Sequence, residues 1–305
     1  MNVRRVTCAV GLALAVASSS AVASAQAAAD PAPATYYLAL GDSLSVGYQA
    51  AHTDADGNTV PAGDTDQGYA DDLYATLHTE QPNLQLQKLG CSGETTTTML
   101  NGSTTLTGPN CDNYKDGSSQ VKAAVQFLTE HPGAVKYVTI DIGANDVQRC
   151  ATAAGIDIAC AVAGIATIAA NLPTILTQLR AASGAAPVYV GMNYYNPFLA
   201  SYLTGSKGMF LAAVTSLAEF VVNNIEENAY RAADGRIADV SGAFHSYDFF
   251  TQKDLPTVGP VPLNVYNICT LTYMCAVQNI HANAAGYQVN ADTFSAALAA
   301  PPKVG

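Results

Sequence analysis

Three polar stretches, each directly after an apolar run, contain groups that are suited to ester chemistry. The first is GDSL at 41–44, the second runs from Gly90 to Thr96, and the third from Gly143 to Val147. They supply a serine hydroxyl, a glycine backbone N–H and an asparagine amide. Acyl transfer requires one nucleophile and several donors for an oxyanion. Gly, Asp and Ser are also ordinary turn residues, so the rest of the chain must decide between the two interpretations.

A serine nucleophile needs a general base, and five histidines are candidates. His281 lies in NIHANAAGY, in a loop that precedes the last predicted helix. The other four lie in a polar loop, near predicted helix ends or in an aromatic stretch: His52, His78, His131 and His245. We therefore predict that Ser43 and His281 act as nucleophile and base.

Five short apolar runs predict the buried strands that would position these groups. They are 36–40, 84–89, 136–142, 187–193 and 236–240. Helical patterns lie between them, the longest around 160–182, 207–232 and 284–299, and Pro173 is expected to kink or restart the first. Alternating strands and helices predict a parallel sheet covered on both faces, in one three-layer α/β/α sandwich over residues 36–300. Ligands bind at the carboxyl ends of such strands, where the three polar stretches begin.

Four ordered blocks resemble the SGNH hydrolases of the GDSL esterase/lipase superfamily. They are GDSL at 41–44, GET at 93–95, GAND at 143–146 and NIHAN at 279–283. The resemblance implies a flavodoxin-like fold, Ser43 as nucleophile and His281 as base. It also implies an oxyanion hole formed by the backbone N–H groups of Ser43 and Gly93 and by the side chain of Asn145. The six cysteines and NYYNPF at 193–198 resemble secreted actinobacterial members in particular.

The chain departs from this family at the group that orients the histidine. Members usually have an acid three residues before it, where this chain has Gln278, followed by Asn279. The nearest acids, Asp254 and Asp292, are not in the expected place. Either a neutral group holds the imidazole, for which we expect the main-chain carbonyl of Gln278, or activity is reduced. We also expect activity mainly above the ordinary histidine pKa of about 6.5, where His281 would be neutral.

Other acids in these stretches have a structural interpretation. We expect Asp42 and Asp146 to support their loops by accepting hydrogen bonds from backbone N–H groups. The acid-rich loop at 54–68 is a weak calcium candidate, because Thr59 stands where an EF-hand needs glycine, and a solvated turn is favoured. We predict no metal and no cofactor.

Composition limits the partners. Of 305 residues, 49% are hydrophobic and 12% are charged, and the formal net charge is -11. With no basic patch, nucleic acid and anionic membrane surfaces are unfavourable partners. We expect a monomer that acts on a small-molecule or lipid ester.

The N-terminus resembles a secretory leader. A positive segment is followed by an apolar core and small residues, and Ala23-Ser24-Ala25 fits an A-x-A cleavage site. We predict a signal peptide over residues 1–25, with cleavage near Ala25 (or Ala27 or Ala29), then a Pro/Ala linker over 26–35 and a secreted product. The apolar core is too short for a permanent membrane anchor.

Removal of the leader leaves six cysteines, which in an exported chain predict disulfides. Six cysteines allow 15 pairings. We favour sequential neighbours, namely Cys91–Cys111, Cys150–Cys160 and Cys269–Cys275. Zinc is the weaker alternative, because there is no C-x2-C pair and no histidine cluster.

Substrate identity is only bounded by the sequence. The segments 193–210 and 244–275 are rich in Tyr, Phe, Leu and Pro, and we expect both to line an apolar cleft. Such a cleft favours a carboxylesterase or lipase. A polysaccharide acetylesterase is an alternative, although the chain has no Trp for sugar stacking. A secreted binding protein with a decayed site is the alternative outside enzymes.

Overall fold

The computed structural model describes residues 33–301, except 55, 115–117 and 153–154. The predicted signal peptide and residues 26–32 of the predicted linker lie outside the described residues. The first strand already begins at Thr35, the last residue assigned to that linker.

A five-stranded sheet in which every pair of neighbours is parallel forms the centre of the molecule. In chain order its strands are β1 Thr35–Gly41, β2 Leu84–Lys88, β3 Val135–Asp141, β4 Val188–Met192 and β5 Arg236–Ala238. All five predicted strands are confirmed, with small shifts at their ends. The spatial order is β2-β1-β3-β4-β5, so the chain changes direction between β1 and β3. In open parallel sheets a crevice opens at such a switch point, at the carboxyl ends of the strands.

Helices cover both faces of this sheet, as the sequence predicted. In chain order they are α1 Tyr69–Glu80, α2 Thr96–Asn101, α3 Gln120–Glu130, α4 Ala144–Gln148, α5 Ile158–Ser183, α6 Ser206–Ala232, α7 Val240–Ala243, α8 Leu263–Leu271, α9 Met274–Val277 and α10 Ala284–Ala299. Two 3-10 turns cover Cys111–Tyr114 and Pro197–Thr204. Three small antiparallel pairs join His52–Thr53 to Thr59–Val60, Ala151–Thr152 to Gly155–Ile156, and Gln252–Leu255 to Gly259–Pro262.

The alternation of side chains along β1 creates two separate cores. Tyr37 and Ala39 pack with α1 and α10 on one face, whereas Leu38 and Leu40 pack with α3 and α5 on the other. All four side chains are fully buried. Each buried large apolar side chain contributes about 1.5–3 kcal/mol, so β1 is held firmly where it ends at the polar stretch 41–44.

Helix α5 passes through Pro173 without interruption, contrary to the predicted restart. A proline inside a helix leaves the carbonyl of the residue four positions earlier, here Ala169, without its usual N–H donor. Both Pro173 and Ala169 are exposed, so water can satisfy that carbonyl.

All three predicted disulfides are formed. Cys91–Cys111 holds the loop after β2, and Cys150–Cys160 joins the chain after α4 to the first turn of α5. Cys269–Cys275 joins α8 to α9, immediately before the loop of His281. Each disulfide therefore lies next to one of the loops that carry the predicted site residues.

Helices α5 and α6 are long and apolar enough to cross a membrane by length and composition alone. Both are crossover connections of the parallel sheet and bury one side in the domain, so this is weak evidence for a membrane span.

Candidate active site

The nucleophile candidate lies at the exit of β1, in a turn that only glycine can begin. Gly41 has a φ of +138°, and a Cβ at this position would overlap the carbonyl oxygen of Asp141. The turn that follows places Ser43 at the carboxyl edge of the sheet, where the side chain lines the cleft. Ser43 is only 8% exposed.

Asp42 fixes this turn, as the sequence predicted. Its Oδ1 accepts the backbone N–H of Leu44 at 3.0 Å, and its Oδ2 accepts the hydroxyl of Tyr194 at 3.0 Å. Asp141 lies beneath, and its Oδ2 accepts the backbone N–H of Ser45 at 3.2 Å. Burial raises the pKa of both carboxyls. The Asp42 charge further opposes ionisation of Asp141.

His281 lies against the nucleophile. The distance between its Nε2 and Ser43 Oγ is 2.8 Å, and the ring packs on Tyr48 with centroids 4.3 Å apart. The loop is held from two sides. Tyr195 donates its hydroxyl to the carbonyl of Ile280 at 2.9 Å, and the backbone N–H of Tyr273 donates to the carbonyl of His281 at 2.9 Å.

The group that orients His281 is the side chain of Asn279, and the prediction of the Gln278 carbonyl is wrong. Asn279 Oδ1 lies 2.7 Å from His281 Nδ1 and accepts the backbone N–H of His281 at 3.1 Å. Gln278 is exposed and adopts a left-handed backbone with φ +56°, which ends α9. The chain turns there, so the short side chain of Asn279 closes an Asx turn over the next two residues.

This double contact determines the tautomer of the imidazole. The backbone N–H of His281 can only donate, so the atom of Asn279 that faces it is the oxygen and not the amide nitrogen. The same oxygen faces Nδ1, which must therefore carry the proton. Nε2 is then the unprotonated nitrogen, with its lone pair directed at Ser43 Oγ.

Burial lowers the pKa of His281 to about 4. This direction differs from the sequence-based expectation, which took the ordinary histidine pKa of about 6.5 for the base. The low-dielectric surroundings disfavour the imidazolium, and Asn279 brings no negative charge to offset this. The two acids nearest in sequence are not partners of the ring, as expected: Asp254 is exposed in a hairpin, and Asp292 accepts a hydrogen bond from Gln288 on α10.

The structure brings Asn145 to the same cleft, at the start of α4. Its Nδ2 donates to the carbonyl of Glu94 at 3.0 Å, which connects the loop after β3 to the loop after β2. Gly93 precedes this carbonyl, is exposed and has a φ of +83°. Asn145 lines the cleft beside Ser43. Gly93 is not among the residues that line it; it directly precedes Glu94, whose carbonyl Asn145 contacts.

Asp146 ties the same two loops together, as predicted. Its carboxylate accepts both the backbone N–H and the hydroxyl of Thr96, each at 2.8 Å. Thr96 is the first residue of α2, directly after GET at 93–95. The predicted oxyanion stretches are therefore held in fixed relation by a buried carboxylate.

Gln120 makes a similar link that the sequence did not predict. Its Oε1 accepts the N–H of Gly41 at 2.6 Å, and its Nε2 donates to the carbonyl of Gly41 at 2.9 Å and to Glu94 at 3.1 Å. Tyr114 also donates to Glu94. These side chains lie on other elements, so only the folded chain brings them to the site.

The cleft beside Ser43 is lined mainly by apolar side chains, with contributions from the loop after β4, from α4 and α5 and from α6. Of the two predicted wall segments, 193–210 contributes through residues 194–198, whereas 244–275 does not line the cleft. Several apolar side chains of that second segment lie in the core instead. Phe244 stacks on Tyr195, and Val265 and Ile268 are fully buried.

No group of three or more metal-ligating side chains occurs among the residues that the structure describes. In the acid-rich loop, Asp54 is occupied by its own turn. Its carboxylate accepts the backbone N–H groups of Asp56 and Asn58 and the side-chain amide of Asn58.

The sequence analysis missed the roles of three residues, and only one of them, Asn279, left a signal in the sequence. Asn279 lies two residues before the histidine, which is the spacing of an Asx turn. Tyr194 and Tyr195 are in the NYYNPF stretch, but nothing in it indicates that their hydroxyls reach Asp42 and Ile280.

Among solved structures, the chain is similar to an extracellular lipase of Streptomyces rimosus, at 21% identity and a TM-score of 0.49 over 87% of this chain and 100% of that one. It is also similar to a phospholipase A1 of Streptomyces albidoflavus NA297, at 18% identity and a TM-score of 0.48 over 87% and 99%. It is also similar to an acetyl xylan esterase of Geobacillus stearothermophilus, at 14% identity and a TM-score of 0.46 over 88% of this chain and 95% of that one. A comparison with curated proteins found no match.

The model of the GDSL-like Lipase/Acylhydrolase family matches residues 39–289. This range includes the end of β1, the strands β2 to β5 and all four blocks, so the SGNH resemblance is confirmed. By this match the chain belongs to the GDSL-like lipase/acylhydrolase family.

Proposed function

We propose that this chain is a secreted serine esterase that hydrolyses carboxylic esters with an apolar acyl group. The observation that supports this most directly is the hydrogen-bonded series Asn279–His281–Ser43, with distances of 2.7 and 2.8 Å, beside an apolar cleft. Such a series is the arrangement of an activated serine nucleophile.

The reaction has two steps. Ser43 Oγ bonds to the ester carbonyl carbon while His281 Nε2 takes its proton. The oxyanion that forms is held by the amide of Asn145 and by the backbone N–H groups of Ser43 and Gly93. The imidazolium then gives its proton to the alcohol oxygen as the C–O bond breaks, which leaves an acyl group on Ser43.

Water completes the cycle. His281 takes a proton from a water molecule that attacks the acyl-serine, and the second oxyanion occupies the same donors. Collapse releases the carboxylic acid and returns the proton to Ser43. Side chains, backbone N–H groups and water carry every step.

The neutral orienting group affects the rate. Asn279 Oδ1 holds the tautomer through its two contacts with His281, but an amide stabilises the developing imidazolium less than a carboxylate does. Since burial also disfavours that cation, we propose a working esterase of moderate turnover.

Export is part of the proposal. The chain has three disulfides. Disulfides persist in oxidising compartments and are rare in the cytosol. Together with the leader-like residues 1–25, they favour a secreted protein, and we propose that it acts as a monomer.

The test is hydrolysis of p-nitrophenyl esters of increasing acyl length. We expect acyl chains longer than acetyl to give the higher kcat/KM, because the apolar cleft gains contact with each methylene. We expect Ser43→Ala to lose about 10⁴-fold and His281→Ala about 10³-fold in kcat. A Ser43→Ala variant with a tenth of wild-type activity would reject the mechanism, and a preference for acetyl would favour an acetylesterase.

A further inference from the structure

The outer faces of helices α5 and α6 lack the charges that a surface helix normally presents to water. In α5 no charged residue occurs before Arg180, and in α6 none occurs between Lys207 and Glu219. Only 22% of the most apolar stretch of α5 and 33% of that of α6 are buried. Both helices therefore expose apolar side chains.

Part of this surface borders the cleft. Ala161 and Ile165 of α5 line it, as do Ala218 and Val222 of α6. Five exposed apolar residues lie on the same stretches of the two helices, and we name them the apolar rim: Ile158 (61% exposed) and Val162 (61%) on α5, and Leu217 (67%), Phe220 (52%) and Val221 (40%) on α6. By helical spacing Leu217 and Val221 form the row next to Ala218 and Val222, and Phe220 lies one row further from the cleft. Exposed apolar side chains scattered singly need no explanation, but a set that borders a cleft indicates an interaction surface.

An aromatic residue from another segment extends the rim. Tyr247 is 43% exposed, and its ring lies edge-on to Phe220 with centroids 5.9 Å apart. Tyrosine has an apolar body and a polar tip, and it is favoured where a protein meets the boundary between lipid and water.

We propose that the apolar rim docks on the uncharged surface of dispersed lipid esters, so that an acyl chain passes from that surface into the cleft beside Ser43. This inference rests on the proposed esterase function and names its substrate class. The argument for a lipid surface is continuity, because four of the five rim residues lie in helical rows next to the cleft wall on the same two helices, and Phe220 extends the α6 row outward. One chemical partner then satisfies both, whereas a second copy of the chain on the rim would cover the cleft.

Charge selects the kind of surface. The rim carries no Lys or Arg, and the net charge is -11, so an anionic membrane would repel the protein. Affinity for a neutral or zwitterionic surface comes from buried apolar area alone. We therefore expect reversible association with zwitterionic lipid and weaker association when anionic lipid is added.

The experiment measures flotation with phosphatidylcholine vesicles. The protein is the Ser43→Ala variant, so that the vesicle is not hydrolysed. We expect it to float with the vesicles, and we expect the added changes Leu217→Gln and Phe220→Gln together to weaken partitioning by at least about tenfold. Both side chains are exposed, so the double variant should fold, which its thermal midpoint checks.

The matched control is Val258→Gln. Val258 is 54% exposed in the turn of the Gln252–Pro262 hairpin and does not line the cleft. It should partition like its parent. With Ser43 restored, the rim variant should hydrolyse a water-soluble ester at a rate within about twofold of wild type and lose activity on dispersed ester.

Three results would overturn the inference. They are no flotation of the parent, equal loss in the control, and a dimer in sedimentation that the rim changes dissociate, since the rim would then be a contact between copies. Loss of all ester hydrolysis with flotation intact would instead reject the proposed function. Hydrolysis of soluble esters without flotation would reject only the docking surface.

Discussion

At the scale of single residues, the site depends on which atom accepts a proton from His281 Nδ1. Asn279 Oδ1 accepts two hydrogen bonds from one residue, and this fixes both the ring and its tautomer. An amide provides geometry without charge. A carboxylate at this place would both orient the imidazole and stabilise its positive charge. Asn279 orients the imidazole but brings no charge.

Substitution of Asn279 tests this separation. We expect Asn279→Ala to lower kcat by about 10–100-fold with little change in KM, because the imidazole loses its orientation but not its substrate contacts. Asn279→Asp keeps both acceptor contacts and adds a charge, so it should raise the pKa of His281 and move the acid limb of kcat/KM to higher pH. The matched control is Gln278→Ala, whose exposed side chain should matter little. Wild-type kcat and pH profile in Asn279→Ala would contradict the assignment.

The pH profile of wild type is a second prediction at this scale. Only the neutral imidazole can take the serine proton, and burial lowers its pKa to about 4. The acid limb of kcat/KM should therefore lie well below the ordinary histidine value of about 6.5, with activity falling only as the pH approaches 4. Circular dichroism at each pH confirms that the protein is folded. A limb centred near the ordinary value would mean that the free enzyme does not bury His281.

At the scale of elements, the three inner strands were predictable because they are covered on both faces and so appear as mainly apolar runs. The edge strands have a weaker signal, and β2 reads LQLQK, in which leucine alternates with a polar residue. The long helices were predictable from their spacing. The cleft walls were only partly predictable. Residues 244–275 are as apolar as a cleft wall, but whether Phe244 contacts substrate or stacks on Tyr195 depends on where α8 packs. Likewise, Asn279 reaches His281 only because Gln278 adopts a left-handed backbone.

The disulfides act on the loops between these elements. Each lies beside a loop that carries a site residue, so reduction should affect the site as well as the free energy of unfolding. We expect no alkylatable thiol in the unreduced, denatured mature protein, and a clearly lower thermal midpoint after reduction, since each disulfide contributes about 2–4 kcal/mol. Mass spectrometry after alkylation makes the measurement. Two or more free thiols before reduction would contradict the pairing.

At the scale of the whole molecule, several acidic side chains are buried beneath the carboxyl edge of the sheet. Their protonation makes the free energy of unfolding depend on pH. Glu226 of α6 is fully buried, and neither of its carboxyl oxygens has a hydrogen-bond partner among the described residues. Burial, followed by the nearby Asp42 charge, raises its pKa well above the ordinary value. Between the two pKa values the folded chain keeps a proton that the unfolded chain releases, so this group lowers stability as pH rises.

Glu226→Gln should remove this dependence while preserving the shape of the side chain. We expect the variant to gain thermal stability relative to wild type, with little gain near pH 4.5, the ordinary glutamate range, and an increasing gain towards pH 8. Differential scanning calorimetry across that range makes the comparison. If the gain were the same at every pH, or absent, the pKa of Glu226 would not be raised in the folded protein.

The central claim is that Ser43 is an activated nucleophile, and a serine-reactive phosphonate tests it most directly. Labelling requires His281 to take the serine proton and requires donors for the phosphonyl oxygen, but it does not depend on the choice of ester substrate. The account predicts one phosphonyl group on the peptide that contains Ser43, no label in Ser43→Ala, and labelling about 10³-fold slower in His281→Ala. A folded wild-type protein that stays unlabelled, or carries the label on another residue, would contradict it.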